Sequence, residues 1–497
     1  MKINIIFGGK AGQGSNFLGV LLGKVAVKLG YYAFYYRDYQ SLIRGGHNYN
    51  ALTFSDQPVY SNETKIDLLV ALDDNSIKIH EKNLKKDGYI LKGNNKNTFF
   101  AGALFKILGI DMKILEDELK KLKRFEENMQ YAKEGYASEK ERFSIKKIKQ
   151  TKDLKFINGT QGLAKGAIES GLDIYYAYPM TPATPVLGAL AKKQVEGNYL
   201  VLELENEISV INAAVGSAMT GAKVMVGTSG GGFDLMSETI SLCGMAEIPV
   251  VIYLAQRPGP GTGVPTYSLQ CDLDVARHVG HGEFPRLVLA PGDPNEAYQL
   301  ASEAFYFSQK YKIPSIVISD KHLAESIYTM DNKLKLKKST KSTSLKKYTS
   351  YEHTTKGLTT EDPEDTIEGF KRRLKTTKDI SEEANKFEMF KIHGNIKSKN
   401  LVLAWGSTKG AVLDAIKDLD CKFLQILYIE PFSREIKEHI EKAKNVLIIE
   451  SNSTSQLSGL IAEKTGFIIQ DKNKILKYDA RPFYLAELRE EIKKRLK

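Results

Sequence analysis

Glu207, Arg257 and Thr181 are the residues whose type and setting could do chemistry. A carboxyl group at a helix start can hold or move a proton, and a guanidinium binds a carboxylate through paired, charge-assisted hydrogen bonds. In Tyr178-Pro179-Met180-Thr181-Pro182 the prolines stiffen the turn, so the Thr181 hydroxyl is in place before any ligand arrives. Each of the three follows a short apolar run: 174–177 before Tyr178, 202–204 before Glu205-Asn206-Glu207, and 250–255 before Gln256-Arg257-Pro258-Gly259-Pro260-Gly261-Thr262-Gly263. A further turn, Thr228-Ser229-Gly230-Gly231-Gly232, follows residues 224–227. Successive glycines let a main chain approach a flat ring, and they equally suit a hinge. Taken singly, Thr181 could cap the next helix and Glu207 could simply face the helix macrodipole.

The elements that must position these residues alternate strand and helix from Phe156 onward, which predicts a parallel sheet with helices on both faces. In such sheets ligands lie outside the carboxyl ends of the strands, where these turns fall. A helix over 161–170 stops at Gly171, and a small-residue helix is expected over 211–220. Strand 287–289, helix 296–310 and strand 313–319 complete this domain. Ahead of it, strand 3–7, the loop Gly8-Gly9-Lys10-Ala11-Gly12-Gln13-Gly14-Ser15 and helix 16–29 could present backbone N–H groups to an anion. No P-loop lysine follows Gly14, and Ala11 breaks the dinucleotide-binding pattern, so a tight turn without ligand is the other reading. Strands near 401–405, 423–429 and 446–449 predict a second, smaller parallel sheet with no catalytic cluster, which suits a role in assembly. The expected organisation is 1–150, 151–330, a charged connector over 331–397 with some helix, and 398–497.

Composition narrows the classes. The chain has 497 residues, 42% hydrophobic and 26% charged, with a net charge of +11. The lysines are spread through helices and gathered over 334–347, so a solvated surface or a docking face for an acidic protein is expected, and nucleic acid is not. Cys243, Cys271 and Cys421 lack the spacing of a four-cysteine cluster and read as free thiols of a reducing compartment. His278 and His281 have no third ligand at suitable spacing, so no metal is assigned and a loop-ordering role is expected. Neither a leader nor a membrane-spanning run is visible, which places the expected location in the cytoplasm.

The Tyr-Pro-Met-Thr-Pro turn, the Glu207 helix start, the Gln256-to-Gly263 loop and Gly280-His281-Gly282-Glu283-Phe284-Pro285 resemble the pyrimidine-binding domain of the 2-oxoacid:ferredoxin oxidoreductases. The Gly8-to-Ser15 loop and Ser41-Leu42-Ile43-Arg44-Gly45-Gly46-His47 resemble that family's gamma domain, and Glu450-Ser451-Asn452 with Gln456-Leu457 resembles a further signature. The order is that of an alpha subunit with the gamma domain fused in front, over nearly the whole length. Met180 stands where the family usually has isoleucine, and Ser455 where it has glycine, a departure that argues against a tight backbone approach there.

The resemblance implies an α/β protein: a gamma-type domain, a pyrimidine-type thiamine-diphosphate-binding domain and a smaller transketolase C-terminal-like α/β domain. Glu207 would be the activating carboxylate, with Tyr178, Pro179, Ser229 and Gly230 lining the cofactor. Thr181 and Arg257, with Thr266, would bind the 2-oxoacid, and Gly12, Gly14 and Arg44 would contact coenzyme A or another anion. A Gly-Asp-Gly run with a downstream asparagine, which holds the diphosphate and Mg²⁺, is missing from the sequence. A beta subunit would therefore supply it together with a [4Fe-4S] cluster, in a heterodimer or a dimer of heterodimers. The implied reaction is oxidative decarboxylation of a 2-oxoacid to acyl-CoA and CO₂, with electrons passed to ferredoxin. A subunit of a non-redox thiamine diphosphate enzyme and a nucleotide-binding scaffold are the alternatives.

Overall fold

The computed structural model describes residues 1–40, 46–93, 95–150, 152–331, 336–342, 347 and 349–496. The chain divides into two compact units, one of Met1–Ile157, Ser326–Asn332 and Tyr484–Ala486, the other of Asn158–Glu325, Lys333–Phe483 and Glu487–Lys497. The protein is α/β throughout.

In the first unit, strand Lys2–Gly9 pairs antiparallel with Asn48–Ser55 and parallel with Ile66–Ala71. Helix Ser15–Lys28 buries Leu18, Leu22 and Val25 against the core that this mixed sheet builds. The loop that starts the helix is tied by Gln13, whose Oε1 accepts from the Lys10 N–H at 2.6 Å. Gly12 and Gly14 have φ of 87° and 85°, a left-handed backbone that glycine adopts without strain. Arg44 lies outside the described residues.

The second unit carries a seven-stranded sheet in the order Leu200–Glu203, Ile174–Ala177, Val224–Thr228, Val250–Gln256, Pro314–Asp320, Leu287–Leu289 and Tyr428–Glu430. All neighbours are parallel except the last pair. Val250–Gln256 is buried at every position, as a strand covered on both faces must be. A second sheet of five strands runs Phe390–Gly394, Lys422–Ile426, Asn400–Trp405, Asn445–Glu450, Lys474–Leu476. One core holds Ile252 and Leu254 of the larger sheet together with Trp405 and Leu457.

Two expectations shift. The small-residue helix begins at Glu207, four residues before 211, because Asn206 caps it by accepting from the Ser209 N–H at 2.9 Å. The connector contains the 22-residue helix Pro363–Ala384, started by Asp362, whose side chain accepts from the Glu364 and Asp365 N–H groups. Among the described residues no helix is long and apolar enough to cross a membrane.

Candidate active site at the strand ends

Register places two strand ends at one level, with the next two strands running on beyond it. Ala177 pairs with Glu203 on one side and Gly227 on the other, and Gly227 pairs with Tyr253. The chain order reverses at Ile174–Ala177: the next strand, Leu200–Glu203, joins one side of it, and Val224–Thr228 joins the other. Such a reversal leaves a crevice beyond the strand ends because the loops on either side diverge. Tyr178 and Ser229 immediately follow the two strands that flank it.

Glu207 is the first residue of its helix, 4% exposed, and its Oε1 has no hydrogen-bond partner among the described residues. The three glycines after Ser229 are neither a hinge nor a loop but the first turn of helix Gly230–Leu235. A Cβ on Gly232 would stand 2.7 Å from Glu207 Oε1 and 2.2 Å from Thr228 Oγ1. On Gly230 it would stand 2.6 Å from Asp272 Oδ2, whereas on Gly231 it would meet nothing within 4 Å. Gly230 and Gly232 thus make room for two carboxyl groups, and Gly231 leaves an exposed, flat stretch of main chain.

Arg257, half-buried, donates from Nη1 to the Thr181 carbonyl oxygen at 2.9 Å, which joins the two turns through the main chain of Thr181. Burial presses the guanidinium below its ordinary range, while Asp272 and Glu207 pull the other way. Thr181 does not cap the following helix: Thr184–Ala191 begins after Ala183 with no side-chain cap. Ser229 is fully buried, and its Oγ has no hydrogen-bond partner among the described residues. Tyr178 and Pro179 are exposed at the mouth. Thr266 is buried on the Arg257 loop, and none of the hydrogen bonds among the described residues links it to Arg257. Gly12 and Gly14 belong to the other unit.

Sequence reasoning passed over Asp272. Its N–H donates to Gln256 Oε1 at 2.8 Å, its Oδ2 is buried without a partner among the described residues, and burial, reinforced by Asp234, pushes its carboxyl up to about 6 against the pull of Cys271 and Arg257. The aspartate follows a polar Gln270-Cys271 pair in a loop, and only the fold brings it to Gly230. The Cys271 thiol donates to the Arg257 carbonyl oxygen at 3.3 Å, and burial raises it to about 11, an inert range. All three cysteines are free. The His281 carbonyl oxygen accepts from Ser241 Oγ at 2.7 Å, which ties down the Gly280-to-Gly282 loop.

The geometry can be set beside known proteins. The family described as pyruvate flavodoxin/ferredoxin oxidoreductase, thiamine diphosphate-binding, matches residues 165–393, and the pyruvate ferredoxin/flavodoxin oxidoreductase family matches residues 4–96. The 2-oxoglutarate synthase subunit KorA of Methanocaldococcus jannaschii is 31% identical, over 60% of this chain and 88% of its own. The chain belongs to the 2-oxoacid:ferredoxin oxidoreductase family. Its full length is similar to a relative in that family, the 2-oxoacid:ferredoxin oxidoreductase subunit alpha of a Sulfolobus species, at 28% identity over 100% of this chain and 97% of that one. The fold matches the 2-oxoglutarate:ferredoxin oxidoreductase from Magnetococcus marinus, with a TM-score of 0.90 at 22% identity and full coverage of both chains.

For this member of the family the fit to thiamine diphosphate can be tested on the site itself. Two unpaired buried carboxyl oxygens, an unpaired serine hydroxyl and an open glycine turn fit a flat, nitrogen-rich ring that offers donors and acceptors at its edge. Among the described residues no three His, Cys, Asp or Glu side chains gather as a cation site.

Proposed function

We propose that this chain is the alpha subunit, with a gamma-type unit fused in front, of a 2-oxoacid:ferredoxin oxidoreductase. The enzyme converts a 2-oxoacid and coenzyme A to acyl-CoA and CO₂ and passes electrons to an iron–sulfur protein. Glu207 carries this reading: a glutamate that the fold buries at a topological switch point and leaves with an unpaired oxygen. Thiamine diphosphate, when bound, supplies the nucleophilic carbon and the electron sink for decarboxylation. Glu207 would hold its pyrimidine through Oε1 and relay a proton there. Ser229 and the Gly230 main chain would lie along the ring, with Tyr178 and Pro179 at the mouth. Arg257, fixed by Thr181, would take the substrate carboxylate by charge-assisted bonds, and Thr266 is a weaker contact.

A beta subunit that brings the diphosphate site, Mg²⁺ and a [4Fe-4S] cluster completes the centre, in a heterodimer or a dimer of heterodimers that works in the cytoplasm. Gly12 and Gly14, whose loop opens helix Ser15–Lys28 without a side-chain cap, are the residues of the first unit proposed to face coenzyme A. The test is to purify the chain from its host without stripping, identify the co-eluting subunit, and assay ferredoxin reduction with a panel of 2-oxoacids. CoA-dependent reduction by a complex that carries thiamine diphosphate and iron supports the reading. A chain with no partner and no cofactor, or 2-oxoacid turnover without electron transfer, refutes it.

A further inference from the structure

The segment that holds Asp272 is fastened almost entirely by the C-terminal sheet, the part of the chain that carries no catalytic motif. Gln270 is fully buried and spends every polar group on this join. Its N–H donates to the Ser451 carbonyl oxygen at 2.7 Å and its Oε1 accepts from the Ser451 N–H at 3.0 Å. Its Nε2 donates to the Trp405 carbonyl oxygen at 2.8 Å, and its own carbonyl oxygen accepts from Asn452 Nδ2 at 2.9 Å. On both sides of Asp272 the pattern repeats with Gln456. Gln456 Oε1 accepts from the Leu273 N–H at 3.0 Å and the Asp274 N–H at 3.4 Å, while its Nε2 donates to the Cys271 carbonyl oxygen at 2.9 Å.

Asn452 and Gln456 are themselves set by Glu450, which is fully buried. Glu450 Oε1 accepts from Trp405 Nε1 at 3.1 Å, Asn452 Nδ2 at 3.0 Å and the Leu457 N–H at 3.0 Å, and Oε2 accepts from Ser455 Oγ at 3.1 Å. The residues on both sides of Asp272 are thus bonded to the loop 450–457, and the main chain of Asp272 to Gln256. Its carboxyl Oδ2 is buried without a hydrogen-bond partner among the described residues, against Gly230. A network that ties the main chain on both sides of one buried acid oxygen fixes that oxygen in space.

We infer that Asp272 is a further residue of the active site and that Gln456 and Gln270, backed by Glu450 and Asn452, are the positioning residues that hold it beside Gly230 and Arg257. The inference rests on the site reading above. It makes the C-terminal sheet part of the catalytic apparatus rather than an assembly module. The charged and titratable groups around Asp272 are Arg257, Asp234 and Cys271, with Glu207 acting on Arg257 from its own helix. Ionised, Asp272 competes with the substrate carboxylate for Arg257. Neutral, it leaves the guanidinium free. KM for the 2-oxoacid therefore rises as pH climbs through the Asp272 ionisation.

The experiment measures kcat and KM from pH 5 to 9, with cofactor content and melting temperature, in the complex with its partner subunit. Wild type is compared with Asp272→Asn, Gln456→Ala, Gln456→Glu and Glu207→Gln. Asp272→Asn is expected to flatten the rise in KM near pH 6. Gln456→Ala should keep its cofactor, raise KM about tenfold and displace that rise, since a loosened segment no longer fixes the acid. Gln456→Glu keeps the two acceptor bonds and adds a negative charge nearby, so the rise should move up by roughly one pH unit. An unchanged pH profile in Asp272→Asn, or a Gln456→Ala that lowers only the melting temperature, overturns the inference. Should Gln456→Ala not assemble, Gln456→Glu decides, and an unmoved rise again overturns it. Glu207→Gln separates the two claims: if it is inactive while the other variants behave as wild type, only the inference fails, and if it is active the site reading itself fails.

Discussion

Buried carboxylates meet two different fates in this protein. Glu296, at the junction of helix Pro294–Tyr311 with the C-terminal sheet, accepts from Lys409, Lys391, Gln425 and the Gly292 N–H. Glu450 is likewise saturated with donors. Glu207 is buried too and Asp272 is half-buried, yet each keeps a buried oxygen without a partner among the described residues, and both lie near the ends of the parallel strands. An isolated buried polar atom is destabilising by roughly 1–3 kcal/mol, so it persists where a ligand completes it. Among these four the contrast separates carboxylates that hold the fold from those that wait for chemistry.

Breaking the contrast at its functional side has the largest effect. Glu207→Gln should keep the complex assembled, with an unchanged melting transition, while kcat falls by at least about 100-fold. At the structural side, Lys409→Met strands Asp293 Oδ2 and leaves Glu296 with Lys391 as its cation, which should cost about 3 kcal/mol in urea unfolding with the local site geometry unchanged. The pH dependence sharpens this. Burial alone would raise the Glu296 carboxyl, but Lys409 and Lys391 overcome it and hold the group below its ordinary range. The folded state therefore binds fewer protons than the unfolded one, and stability is full above the ordinary glutamate range and declines as pH falls below it. Lys409→Met should weaken or reverse that slope.

Arg257→Ala removes the charged partner of the substrate and should raise KM for the 2-oxoacid by about 10- to 100-fold, measured in steady-state assays, with a smaller effect on kcat. Ser455→Gly is expected to be the mildest, within about 1 kcal/mol in urea unfolding. Ser455 has φ of 55°, which glycine would relax, but the change gives up the hydroxyl's bond to Glu450. The left-handed turn expected of a glycine is thus kept by the serine, whose N–H also donates to Asn452 Oδ1 at 2.7 Å.

The strands were legible because buried parallel strands are continuous apolar runs, as 224–228 and 250–256 are. Arg257 and Thr181 could be singled out because each follows such a run, whereas Glu207, beyond the exposed strand Leu200–Glu203, stands out as a helix-start carboxylate within the family resemblance. Glu207 is legible as a helix start, but residues 208–210 are not legible as helix without the Asn206 cap, and the three glycines read as a turn because helix propensity argues against a helix that packing imposes. Asp272 was invisible for another reason: what makes it special is contact with Gly230 and Gln456, far away in sequence, and no local pattern records that. The helix Pro363–Ala384 did have a local signal, Asp-Pro-Glu, hidden in a charged connector.

The most direct test follows the C2 proton of thiamine diphosphate in the purified complex, by its exchange with deuterium in wild type and in Glu207→Gln. The account predicts equal cofactor content and an exchange slowed by at least about 100-fold in the variant. Exchange at the wild-type rate would contradict it and remove Glu207 from the centre of the site.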